Sequence, residues 1–162
     1  MIPDSATLVE LLCWRASRQP TRRLYTFISD GEPDGVSLTL AELDRRARAI
    51  ASRIQDAGGA GKPVLLLYPP GLAYIEAFFG SLYAGAIAVP SYLPRSNPTL
   101  GRLKAIVEDS QSTIALTTSK ASSGAESVLA EARLASIEWL TTDDLPAGLG
   151  ERWRQPRISP TR

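Results

Sequence analysis

Four consecutive apolar residues, Val64-Leu65-Leu66-Leu67, admit few folds. Side chains on a strand alternate between two faces, so an unbroken apolar run needs cover on both. That is the mark of a strand inside a parallel sheet. Pro69-Pro70-Gly71 then turns the chain into a stretch over about 72–84 whose only charge is Glu76. Residues 77–90, AFFGSLYAGAIAVP, read as a buried helix, a stop at Gly85 and a second buried strand over Ala86–Val89. Ile75, Phe78, Phe79 and Leu82 are expected on the buried side of that helix. A strand, helix and strand in this order predict a right-handed crossover.

The flanking segments fit the same architecture. Thr7 with Glu10 forms a capping box that opens a first helix, with Leu8, Leu11, Leu12 and Ala16 as its apolar face and Pro20 as its stop. Leu24–Ile28 and Val36–Leu38 predict a short hairpin around the turn at 30–35. Thr39 with Glu42 caps a second helix, where Leu40, Leu43, Ala47, Ile50 and Ile54 recur in steps of three and four on one face. Arg45, Arg46, Arg48 and Arg53 lie off that stripe and read as a solvated face, supported by Glu42–Arg46 and Asp44–Arg48 spacings. Downstream, a helix over 99–109, a strand over 113–117, a polar loop over 119–124, a weaker helix over 125–134 and a strand over 137–140 are expected. The fold class is α/β, a mostly parallel sheet flanked by helices. Residues 1–150 read as one subdomain and 151–162 as an irregular basic tail.

Composition narrows the function classes. The 162 residues carry 18 Lys plus Arg against 17 Asp plus Glu, so the whole-chain balance gives no footprint for nucleic acid or a membrane surface. There is no histidine, the commonest general base and metal ligand. Cys13 is the only cysteine, so no intrachain disulfide can form. From Ala77 to Pro94 no residue is charged, but Gly80, Ser81, Gly85 and Pro90 interrupt the stretch, and no membrane span is expected. The start, MIPDSATLVE, is a poor signal peptide, and the expected location is the cytoplasm.

Candidate chemical groups each meet a plainer reading. Gly58-Gly59-Ala60-Gly61-Lys62 has a helix before it and a strand after it, the reverse of a phosphate loop, and Pro63 stands where a Ser/Thr is needed. It reads as a helix cap and connector. Asp143-Asp144 lacks companion ligands and reads as an exposed turn or cap. Cys13 has Arg15 and Arg18 near it in sequence but reads as a packed thiol. Ser119, Ser122 and Ser123 have no recognisable base. No catalytic, cofactor-binding or metal residue is assigned.

Taken in order, the blocks resemble the N-terminal segment of fatty acyl-AMP ligases, a branch of the adenylate-forming superfamily with acyl-CoA synthetases and peptide-synthetase adenylation domains. SLTLAEL at 37–43 is similar to the superfamily's first shared motif and LYAGAIAVPSYLP at 82–94 to its second. TLVELLCWRASRQP at 7–20, LLLYPPGLAYIEAFFG at 65–80 and IALTTS at 114–119 match the fatty acyl-AMP branch in register. Leu93 departs from it, standing where the branch has a second proline.

The resemblance implies an enzyme that activates a fatty acid with ATP and Mg2+ to an acyl-adenylate, for transfer to an acyl carrier protein in lipid or polyketide synthesis. Its phosphate loop, nucleotide contacts and C-terminal lysine have no counterpart among these residues. The chain is therefore expected to hold no cofactor, to be inactive alone, and to dock with a remainder that supplies those groups. Two rivals stay open: a non-catalytic docking or remnant module, and an independent α/β ligand-binding domain.

Overall fold

The computed structural model describes residues 7–29, 35–93, 97–123 and 136–157. The chain runs α1 (Leu8–Arg18), β1 (Arg23–Phe27), β2 (Val36–Thr39), α2 (Leu40–Asp56), β3 (Pro63–Leu67), α3 (Leu72–Ala84), β4 (Ile87–Ser91), α4 (Asn97–Ser110), β5 (Ile114–Thr117) and β6 (Glu138–Thr141). A 3-10 turn covers Leu149–Arg152. The helix expected over 125–134 and the turn over 30–34 lie outside the described residues.

β3 to β6 form one parallel sheet in the order β4-β3-β5-β6. α2 and α3 cover one face, and Val64 and Leu66 point into that core with Ile50, Ile54 and Tyr83. α4 covers the other, where Leu65 and Leu67 meet Leu100 and Leu103. Val64 to Leu67 of β3 are all fully buried, as a strand covered on both faces requires. β1 and β2 pair as a separate antiparallel hairpin, Phe27 opposite Val36. Thr7 and Thr39 each accept from the N3 amide while Glu10 and Glu42 reach back to the cap N–H, so both capping boxes form.

Three buried faces differ from the expectation. On α3 the fully buried residues are Ala77, Gly80, Ser81, Tyr83 and Ala84, whereas Ile75, Phe78, Phe79 and Leu82 are only partly buried. The helix is apolar all round, so its pattern cannot choose a face. Close packing against α2 chooses the small side: a Cβ added to Gly80 would sit 2.5 Å from Ile50 Cγ2. On α1, Val9, Leu12 and Ala16 are buried, while Leu8 is 56% exposed. β4 is an edge strand, with Ile87 and Pro90 exposed, and an edge is where proline is tolerated within a sheet.

Gly85 ends α3 in the left-handed conformation at φ 73°, returning its N–H to Leu82 O. Any side chain there would also press on Pro156, 2.7 Å from the Cβ position. That contact belongs to residues 149–157, whose backbone is largely irregular yet anchored to α2 and α3. The Gln55 amide bonds both the N–H and the C=O of Arg154, at 3.2 and 2.7 Å, and Arg152 meets Asp56 at 3.1 Å.

Candidate functional site

Strand order locates the site. From β3 the chain crosses one way to β4, then back over β3 to β5, so connections leave β3 and β5 in opposite directions. In open α/β sheets ligands bind outside the carboxyl ends of strands at such a reversal.

Here those ends carry Tyr68 after β3, Thr117–Ser119 at β5 and Thr142–Asp143 after β6. They are stitched together. Thr117 Oγ1 donates to Leu67 O at 2.8 Å, Thr142 Oγ1 donates to Thr117 O at 3.3 Å, and the Tyr68 and Thr142 hydroxyls bond at 2.8 Å. Burial pushes the Tyr68 phenol far up, so it stays a neutral hydroxyl. Asp143 Oδ1 accepts from the Ser119 N–H at 2.8 Å and hydroxyl at 3.0 Å. Slight burial raises the Asp143 carboxyl, but these bonds outweigh it and hold the group below its ordinary range. Asp143 thus caps residues 119–123, which are helical rather than the expected loop. Beside this rim, Tyr68, Pro69, Pro70, Tyr74, Pro90 and Tyr92 line an open cleft of about 420 Å³.

A second cluster joins α1, α2, α3 and the 149–157 segment. Asp44 accepts from the Tyr83 hydroxyl at 2.8 Å and from Arg48 at 2.8 and 3.2 Å. The Cys13 thiol lies 3.5 Å from Asp44 Oδ1 and 3.4 Å from the Tyr83 hydroxyl. The Arg48 guanidinium stacks 4.3 Å over the Trp153 ring, whose Nε1 donates to Tyr83 O at 2.7 Å. Burial pushes the Cys13 thiol up, so it is no thiolate nucleophile. Burial also raises Tyr83, reinforced by Cys13 and the Asp44 charge. For Arg48 burial works the other way, and the Asp44 carboxylate overcomes it and keeps the cation charged. Arg48 is thus half-buried and engaged rather than part of a solvated face. Arg46 approaches Glu76 at 3.9 Å, while Glu42 is occupied by the Thr39 cap. Only the Asp44–Arg48 signal was visible in spacing; Tyr83 and Trp153 join through the fold.

Gly58–Lys62 forms the connector between α2 and β3, with the Gly59 N–H on Ile54 O. Among the described residues no three His, Cys, Asp or Glu groups converge as metal ligands. With α2 before it and β3 after it, the Gly58–Lys62 connector does not have the form of a phosphate loop.

A family model for AMP-binding enzymes matches residues 12–157. The chain belongs to the AMP-binding enzyme family. It is 40% identical to the medium-chain-fatty-acid–[acyl-carrier-protein] ligase JamA of Moorena producens over 162 residues, 97% of this chain and 27% of that protein. It is 38% identical to the long-chain-fatty-acid–AMP ligase FadD32 of Mycolicibacterium smegmatis over 75% of this chain and 20% of the relative. The crystal structure of a fatty acid AMP ligase from Legionella pneumophila superposes with a TM-score of 0.86 at 31% identity, covering 96% of this chain and 26% of that one. The chain thus spans about a quarter of the length of these relatives, and the resemblance read from its motifs holds across it. Among the described residues no helix is long and apolar enough to cross a membrane.

Proposed function

We propose that this chain is the N-terminal α/β part of a fatty acyl-AMP ligase that uses ATP and Mg2+ to activate a fatty acid and passes the acyl group to an acyl carrier protein. The observation that carries the reading is the superposition of nearly the whole chain on one quarter of the Legionella ligase. The chain's part is architectural. Its sheet sets the stitched rim of Tyr68, Thr117 and Thr142 and the aromatic cleft beside it as one wall, and the exposure of Ile87 and Tyr92 supports a surface there for the remainder of the enzyme to cover. Residues supplied by that remainder do the adenylation, since phosphoryl chemistry depends on positioned cations and donors. The free thiol of Cys13, the one cysteine of this chain, suits the cytoplasm.

The test joins this chain to the remaining three quarters of the Legionella enzyme in place of its own counterpart. Fatty-acid-dependent ATP–pyrophosphate exchange that needs Mg2+ is the expected result. A folded chimera without exchange overturns the proposal.

A further inference from the structure

The outward face of α1 differs from an ordinary solvated helix. Val9, Leu12, Cys13 and Ala16 turn inward onto the core. Leu8, Leu11 and Trp14 fall on the other side at helical spacing, with Arg15 and Arg18 interleaved. Leu8 is 56% exposed, and Leu11 and Trp14 are half-buried outside both core clusters. The chain leaves α1 and at once presents Arg22 and Arg23, both exposed. Arg15, Arg18, Arg22 and Arg23 therefore gather at the C-terminal end of α1 beside Trp14, with Leu11 and Leu8 one and two turns back along the same face. Glu10, the helix's one carboxylate, is held in the capping box at the far end. Among the described residues no ion pair joins any of the four arginines. A net charge of +1 for the chain averages this corner away.

We propose that this corner seats the protein on an anionic membrane surface, with α1 in the plane of the headgroups. A polyanion such as nucleic acid would need the arginines but not the exposed leucine. An apolar protein groove would need the leucines and Trp14 but not four arginines without an ion-pair partner among the described residues. An acidic phospholipid layer uses both: arginines bind headgroup phosphates while Trp14, Leu8 and Leu11 reach the acyl boundary. This is peripheral seating, distinct from a span, and it stands on α1 independently of the ligase reading.

The experiment is cosedimentation of the chain with phosphatidylcholine vesicles, with and without phosphatidylglycerol, at low and high salt. The chain binds the acidic vesicles only, and salt releases it. Replacing Arg18, Arg22 and Arg23 together by Gln lowers partitioning roughly a hundredfold, at about fivefold per cation. Arg102→Gln on α4 leaves it unchanged, and Leu8→Ser weakens it several-fold. Circular dichroism confirms that each variant is folded. No binding to acidic vesicles, or binding indifferent to the triple substitution, overturns the proposal. So does retention on heparin that needs the arginines while Leu8→Ser leaves vesicle binding untouched, which would assign the corner to a soluble polyanion.

Discussion

Removing the Asp44 carboxylate tests whether the buried polar cluster acts as one unit. Tyr83 is fully buried and its hydroxyl donates to Asp44 at 2.8 Å. Asp44→Ala leaves that donor without its acceptor, a loss of about 1–3 kcal/mol. Arg48 loses its bidentate partner too, but its side chain is 33% exposed and can turn to water, so that part is held to about 0.5–1 kcal/mol. The expected total is about 2–4 kcal/mol. Tyr83→Phe alone costs about 1 kcal/mol, because Asp44 keeps Arg48. In the Asp44→Ala background the same change removes an orphaned hydroxyl and costs nearly nothing. The double-mutant coupling is therefore about 1 kcal/mol. Urea unfolding followed by circular dichroism measures it as shifts in midpoint at constant slope. Additivity within about 0.5 kcal/mol would refute the reasoning, since groups in one network do not behave independently.

Three further outcomes follow from the same geometry. Thr39→Ala removes the cap of α2 and costs about 1 kcal/mol in the same unfolding assay. Gly80→Ala forces a methyl against Ile50 and costs about 1–3 kcal/mol of overpacking, despite alanine's better helix propensity. Burial raises the Glu76 carboxyl above its ordinary value of 4.5, with Arg46 only partly opposing. The folded chain therefore holds a proton that the unfolded chain has released, and stability falls as pH rises through the window above 4.5. Glu76→Gln should be more stable than the parent chain at neutral pH, with the difference fading toward pH 4.5; a difference that instead grows on acidification contradicts the sign.

Legibility followed the kind of signal each element carries. Both capping boxes, the doubly covered β3 and the stop at Gly85 were readable because they depend on local residue types at fixed spacing. The faces of α1 and α3 were not. α1 offers leucine on both sides, and α3 is apolar all round, so size suggested Phe78 and Phe79 while close approach to Ile50 selected Gly80 and Ala77. β4 read as buried because its composition is apolar, but its place at the sheet edge is set by strand order, which only the tertiary fold fixes. The rim of Tyr68, Thr117 and Thr142 and the cluster around Asp44 join residues up to 74 positions apart through hydroxyls and one guanidinium. Hydropathy carries no mark of such bonds. Trp153 and the Gln55–Arg154 pairing escaped for the same reason.

The central claim is that this chain is one structural part of an acyl-adenylating ligase. Mass-spectrometric detection of acyl-AMP after incubation with ATP, Mg2+ and a medium-chain fatty acid tests it most directly. The predicted result is acyl-AMP from the chimera with the Legionella remainder and none from the 162-residue chain alone. Acyl-AMP made by the chain alone, or none made by a folded chimera, would contradict it.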